Sequence, residues 1–201
     1  EGLKALGHEC VVASDGDHWK NYPRDIDLAR KGQGKWHGLW LTLKFWCHRN
    51  DFRGFDIVQL INPHFIDLKP SRISQIYKYL KKNNKKIVLG AFGMDYYWVH
   101  VCTNDKPLRY SDFNIGDEVR MNADAIRERN LWIGTDSERL NKQIANECDG
   151  IVAGLYEYWV CYKPSFQHKT VFIPFPIEMP ETKSVEYGVG KKVRIFMQSS
   201  V

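Results

Sequence analysis

Three short runs constrain the fold of this chain most. Residues 57–61, 87–89 and 171–173 are apolar at nearly every position, with Gln59 the single polar interruption. A strand with one wet face alternates polar and apolar side chains; a strand covered on both faces does not. Segments with helical spacing lie between these runs. Ile73, Ile76, Tyr77 and Leu80 recur at intervals of three and four over residues 71–83, with Ser71 as the expected N-cap. Leu140, Ile144 and Ala145 form a second stripe over residues 136–148. Strands alternating with helices predict an α/β fold, a Rossmann-like parallel sheet with helices on both faces.

The other segments extend this pattern. Residues 2–6 read as the end of a helix closed by Gly7 at C′, so a strand and its loop are expected ahead of Glu1. Residues 10–14, Cys-Val-Val-Ala-Ser, read as a strand ended by Asp15-Gly16-Asp17. Residues 15–36 lack an apolar period and are expected to form a long functional loop. Residues 37–52 are long enough for a helix, 150–153 suit a strand, and 155–162 a short aromatic helix. The stretch from 98 to 131 is expected to be irregular, and loops of that length in compact domains are functional or mobile. Pro180, Gly188 and Gly190 among Glu and Lys mark a linker over 178–191. Residues 192–201 then read as the first strand of a further domain. The expected organisation is a Rossmann-like domain over 1–177 lacking its first strand, a linker and the start of a second unit, truncated at both ends.

Chemistry is expected where strands end, because ligands of open α/β sheets bind beyond the carboxyl ends of the strands. The run 87–89 empties into Gly90, Phe92, Gly93, Asp95 and Tyr96. Glycine leaves room for a ligand to approach the backbone, and a carboxylate can accept its hydroxyls. Asp95 reads equally as the cap of the next element. Asp15, Asp17, His18 and Trp19 combine carboxylates, an imidazole and an indole after a strand, a mixture that suits a sugar; Asp-Gly is also ordinary turn chemistry. Asn62 before Pro63 lines an edge or simply turns it. Tyr156 and Glu157 open a helix whose first amides could face an anion, although aromatics at that density also serve as core or docking surface. Gly32-x-Gly34-x-x-x-Gly38 resembles a dinucleotide loop only superficially, since its spacing differs and no strand directly precedes it.

Composition excludes several classes. A net charge of +5 is modest, and no nucleic-acid-binding motif accompanies it. Lys81, Lys82, Lys85 and Lys86 cluster at a helix end, where cations favour the dipole; peripheral contact with an anionic membrane surface is the alternative. Five scattered cysteines form neither a disulfide framework nor a zinc site, which fits a reducing cytoplasm. Apolar runs fall short of the roughly 18–20 residues needed to span a bilayer. No cofactor and no metal site are expected; Asp15-Gly16-Asp17 is the one pattern that keeps a metal-dependent reading open.

The ordered motifs resemble the N-terminal domain of a GT-B-fold glycosyltransferase, family 4 in particular. Leu3-x-x-Leu-Gly-His-Glu-Cys-Val-Val is similar to "L-x-x-x-G-H-x-V-x-V", and Asp56-Ile57-Val58-Gln59 to "D-I-V-H". Gly93-Met94-Asp95 is similar to "H-G-x-D", with Phe92 where histidine is usual. Cys148-Asp149-Gly150-Ile151-Val152-Ala153 resembles "A-D-x-I-V-A", and residues 171–177 resemble "V-x-V-I-P-N-G-I-D" with Phe-Pro replacing Asn-Gly. The resemblance implies transfer of a hexose from a nucleotide-sugar to a glycan or lipid-linked acceptor, in the cytoplasm or at the inner face of its membrane. It implies that this domain holds the acceptor, while the absent domain holds the donor, so the fragment alone is inactive. Under it, Asp95 is the catalytic candidate, touching the sugar or acceptor at an interdomain cleft, and Asp15, Asp17, His18, Trp19, Asn62, Phe92, Gly93, Tyr96, Tyr156 and Glu157 line the substrate. The alternatives are a stand-alone α/β ligand-binding module and a non-catalytic transferase homologue.

Overall fold

The computed structural model describes residues 2–16, 23–32 and 34–175. The expected linker and the strand beyond it lie outside these residues, as do Asp17, His18 and Trp19. A short helix, α1 (Gly2–Ala5), ends as expected. Gly7, at φ 86°, donates to the Lys4 carbonyl, and His8 donates to that of Leu3, which closes a Schellman turn.

The expected strand at 10–14 contracts to β1 (Ala13–Ser14), which pairs in parallel with β2 (Ile26–Asp27) inside the stretch read as loop. α2 (Lys35–Cys47) follows, then one 3-10 turn at Arg49–Phe52. The main sheet begins with β3 (Ile57–Leu60), passes through α3 (Pro70–Asn83) and returns as β4 (Lys86–Ala91). α3 starts ahead of Ser71. Lys69 occupies the cap position and Pro70 the first turn, where a proline sacrifices no hydrogen bond and its fixed φ suits the helix.

The segment expected to be irregular is the largest departure. α4 (Tyr96–Asn104) begins directly after the strand-end loop; it is apolar on almost every side and buried accordingly. A two-stranded antiparallel hairpin, β5 (Asn114–Ile115) and β6 (Glu118–Val119), turns at Gly116-Asp117 with Gly116 at φ 58°. α5 (Ala123–Trp132) and α6 (Asp136–Glu147) lead to β7 (Gly150–Ala153), then α7 (Tyr156–Phe166) and β8 (Thr170–Phe172).

The four strands β3, β4, β7 and β8 lie side by side in that order, all parallel, and helices flank them. Register aligns Leu60, Leu89, Ile151 and Thr170 in one row across the sheet, and all four are buried. The adjacent positions point to the opposite face. There Ile57 is 64% exposed and Val171 54%, with Val88 and Val152 between the extremes. Cover on both faces was the expectation from continuous apolar strands. Among the described residues one face is buried along β4 and β7, with Val58 half-buried and Phe172 40% exposed on the outer strands, and the other face is covered only in part.

Leu89 is fully buried in the central strand, so Leu89→Ala removes packed methyls that the neighbours cannot replace. We expect about 2–5 kcal/mol lost in urea unfolding. Ile57→Ala, on the open face, should stay within about 0.5 kcal/mol of the parent.

Candidate functional site

The carboxyl end of the sheet is assembled from the loops after β3, β4 and β7. Asn62 stitches the first two together: its side-chain amide donates to the Met94 carbonyl (3.1 Å) and its Oδ1 accepts from the His64 amide (2.9 Å). Gly93 stands in open space, with nothing within 4 Å of where a Cβ would project. Phe92 is a packing residue. Its ring lies where a side chain on Gly90 would stand, 2.6 Å from that position, and 5.3 Å from the Phe175 ring.

Asp95 faces inward. It is the N-cap of α4 and is fully buried. Its carboxylate accepts from the Trp98 amide (2.9 Å) and from the Tyr162 hydroxyl (2.6 Å). Asn141 donates to the same hydroxyl (3.1 Å) and accepts from the Tyr96 amide (2.9 Å). Loss of water around the ionised carboxylate outweighs these bonds and pushes Asp95 up to about 6. The cap role open in the sequence is thus realised, and the carboxylate has no solvent-facing side for a substrate. Tyr96 is buried as well, stacked on His100 (5.0 Å) with the Lys142 ammonium 4.7 Å from its ring.

Tyr156 and Glu157 open α7 at the end of β7; Tyr156 is exposed and leans on Trp159 (5.5 Å). Asp15 is exposed at the end of β1. Among the described residues, Asp15, Tyr156 and Glu157 form no hydrogen bond, ion pair or ring contact with Asn62 or the loop at 92–95. Among the described residues, no three His, Cys, Asp or Glu side chains gather as a metal site.

The cavity at this edge comes from the segment that showed no pattern in sequence. It measures about 300 Å³ and is floored by Met94, Phe113 and Ala125. Asp112, Arg120, Asn122, Asp124, Arg127 and Glu128 form its polar wall. Arg127 pairs with Asp124 (2.7 Å) and Glu128 (3.3 Å), and Asp112 accepts from the Trp98 indole (3.3 Å). Two local signals point to this unit: the Gly-Asp pair that turns the hairpin and the cap-like Asn122 before a helix-forming run. Carboxylates that accept, guanidinium groups that donate and an apolar floor together suit a ring bearing several hydroxyls.

Lys85 and Lys86, from the basic cluster, pair with Asp56 and with Asp149 (3.4 Å), and Lys81 donates to the Glu147 carbonyl. No helix among the described residues is long and apolar enough to cross a membrane. Comparison with models of protein families finds no matching family. Comparisons with curated proteins and with solved structures likewise find no match.

The raised Asp95 gives a pH signature with a definite sign. Between the ordinary carboxylate value near 3.8 and about 6, the folded chain holds a proton that the unfolded chain has released. Its stabilising contribution is therefore complete below the unfolded value and is lost as pH rises through about 6. Urea unfolding of the parent and of Asp95→Asn should diverge in the parent's favour by up to about 1.4 kcal/mol per pH unit as pH falls from 6 to 5. A pH-independent difference would contradict this.

Proposed function

We propose that this chain is the acceptor-holding domain of a GT-B-type glycosyltransferase, the part of the enzyme that presents a hydroxyl of a glycan or lipid-linked glycan to a nucleotide-sugar. The observation that carries the reading is the cavity beyond the end of β4. It lies where parallel α/β sheets bind ligands, and its wall of carboxylates, guanidinium groups and Asn122 over Met94 and Phe113 suits a polyhydroxylated ring. The order of strands and helices in the resembling motifs also supports it: the segments similar to "D-I-V-H", "A-D-x-I-V-A" and "V-x-V-I-P" fall on β3, β7 and β8, and the one similar to "H-G-x-D" is the loop that follows β4, in a sheet ordered β3-β4-β7-β8.

In this reading Asp95 is a positioning residue. By capping α4 it holds the loop at 92–95, and so Met94, in place as part of the cavity floor. Transfer itself takes place in a cleft closed by a donor-binding domain, and closure excludes water from the reacting sugar. One observation favours a non-catalytic homologue as the second reading. Phe92, at the place of the family's histidine, is packed against Phe175 and offers no hydrogen bond.

Saturation-transfer NMR against a panel of oligosaccharides and nucleotide-sugars tests the proposal. Expected are contacts from oligosaccharide rings that weaken in Glu128→Gln and Arg120→Gln, with little from the nucleotide. Tight nucleotide-sugar binding by this chain, or no response to any glycan, would overturn it.

A further inference from the structure

The glycine motif at residues 32–38, set aside as a dinucleotide loop, acquires a different meaning in three dimensions. Gly34 is the N-cap of α2 at φ 150°, a backbone angle that L side chains rarely adopt, and Gly38 lies buried one turn further on. Beside them is a second cavity, about 140 Å³, lined by Arg30, Lys35, Gly38, Leu68, Lys69 and Arg72. It shares no residue with the cavity beyond β4.

Four of these six side chains are cationic, and two of them converge. One guanidinium nitrogen of Arg30 and one of Arg72 each lie 3.6 Å from where a Cβ on residue 38 would stand. The missing side chain thus leaves a bare patch of helix between two forks. Arg30 is anchored by its Nη2 donating to the Gly34 carbonyl (2.6 Å) and its Nη1 facing Asp67 (3.3 Å). Its Nε is buried without a partner. Arg72 is held by the Thr42 hydroxyl (3.2 Å). Asp67, whose side chain is 57% exposed, is the carboxylate closest in the hydrogen-bond network, one negative charge against four positive.

Two helices also begin at this cavity. Lys35 is the first residue of α2, and Lys69 holds the cap position of α3. Neither helix has a side-chain cap, and neither carries an acidic residue in its first turn. Their leading amides and the positive ends of their dipoles therefore lack internal anions. Forked guanidinium groups match the oxygens of a phosphate two at a time, and helix N-termini supply further N–H donors.

We propose that this cavity binds a phosphate monoester. The phosphate sits over Gly38 between Arg30 and Arg72, with Lys35 and Lys69 at the mouth. The volume admits a single phosphate group and leaves the rest of the ligand outside. The site is independent of the transferase reading and stands whether or not the chain binds sugars.

Thermal unfolding with inorganic phosphate, titrated against sodium chloride at constant ionic strength, is the test. A saturable rise in Tm is expected for the full chain. Lys69→Gln, at an exposed position, and Arg72→Gln should each abolish the rise while circular dichroism stays that of the parent. Lys82→Gln, in the separate lysine cluster, should leave it intact. Gly38→Ala is the most discriminating variant. Its methyl fits at van der Waals distance and alanine is the better helix former, so basal Tm should rise while phosphate affinity falls about tenfold. No saturable rise, a rise equally produced by chloride, or a rise surviving Lys69→Gln and Arg72→Gln would each overturn the site. Co-sedimentation with phosphatidate vesicles, against phosphatidylcholine vesicles, identifies the source. Sedimentation that free phosphate reverses places the monoester on a lipid, and phosphate binding without sedimentation places it on a soluble ligand.

Discussion

The buried triangle of Asp95, Tyr162 and Asn141 is the constraint on which the rest of the structure depends. A carboxylate without water is costly to ionise, and here it is accepted because the hydrogen bonds it makes organise three helices at once. Through the Trp98 amide it starts α4; through Tyr162 it fixes α7; and Asn141, on α6, ties that hydroxyl to the backbone of Tyr96. Every member except the carboxylate's own chain neighbours comes from a different element. Loss of one partner leaves the others buried with unmet polar atoms, which is more damaging than the absence of the whole group would be. The aromatic layer around it, Tyr97 against Tyr162 (4.6 Å) and Phe166 (5.3 Å), keeps water out and so maintains the condition that raises Asp95.

Two cavities of different character lie among the described residues. The larger one, past β4, mixes both charges and sits on an apolar floor; the smaller one, at the starts of α2 and α3, is cationic. Their separation follows from topology. The larger draws on the loop after β4 in the main sheet, whereas the smaller joins the start of α3, after β3, to that of α2, which follows the separate β1–β2 pair. The strands themselves carry almost no polar side chain into either cavity. What they contribute is direction.

Much of the frame was legible because it rests on local rules. The strands at 57–60, 86–91, 150–153 and 170–172 follow from short apolar runs between breakers, and the turn at Gly7 from a glycine at the end of a helix. The segment from 96 to 132 was opaque for three separate reasons. α4 is apolar on nearly all sides, so it shows no stripe; α5 buries only Ala125 and Trp132, so its period is faint; and the hairpin strands are two residues each. The larger cavity was hidden with them, since its wall is drawn from those elements. Asp95 stood out as a carboxylate at a strand end, and both of its readings were visible. The choice between them depended on Tyr162, distant in sequence, whose hydroxyl no local pattern connects to it. The basic cavity was hidden for a similar reason: Arg30, in the loop ahead of α2, and Arg72, in the first turn of α3, are distant in sequence and converge over Gly38, where the helix has no side chain.

The excursion between β4 and β7 is the longest in the described chain, yet it returns to pair strand against strand. The entropy of closing such a loop grows only with the logarithm of its length, by about 0.6 kcal/mol for each doubling. The sheet is therefore almost indifferent to how much polypeptide is stored there. The frame and the segment that walls the larger cavity are joined at the Asp95 cap at one end and at α6 at the other, and they share one core through Phe113, Ala125 and Trp132. Recasting the exposed residues between α4 and α6, with Phe113, Ala125 and Trp132 kept, would rewrite what the cavity accepts while leaving the parallel strands to find one another as before.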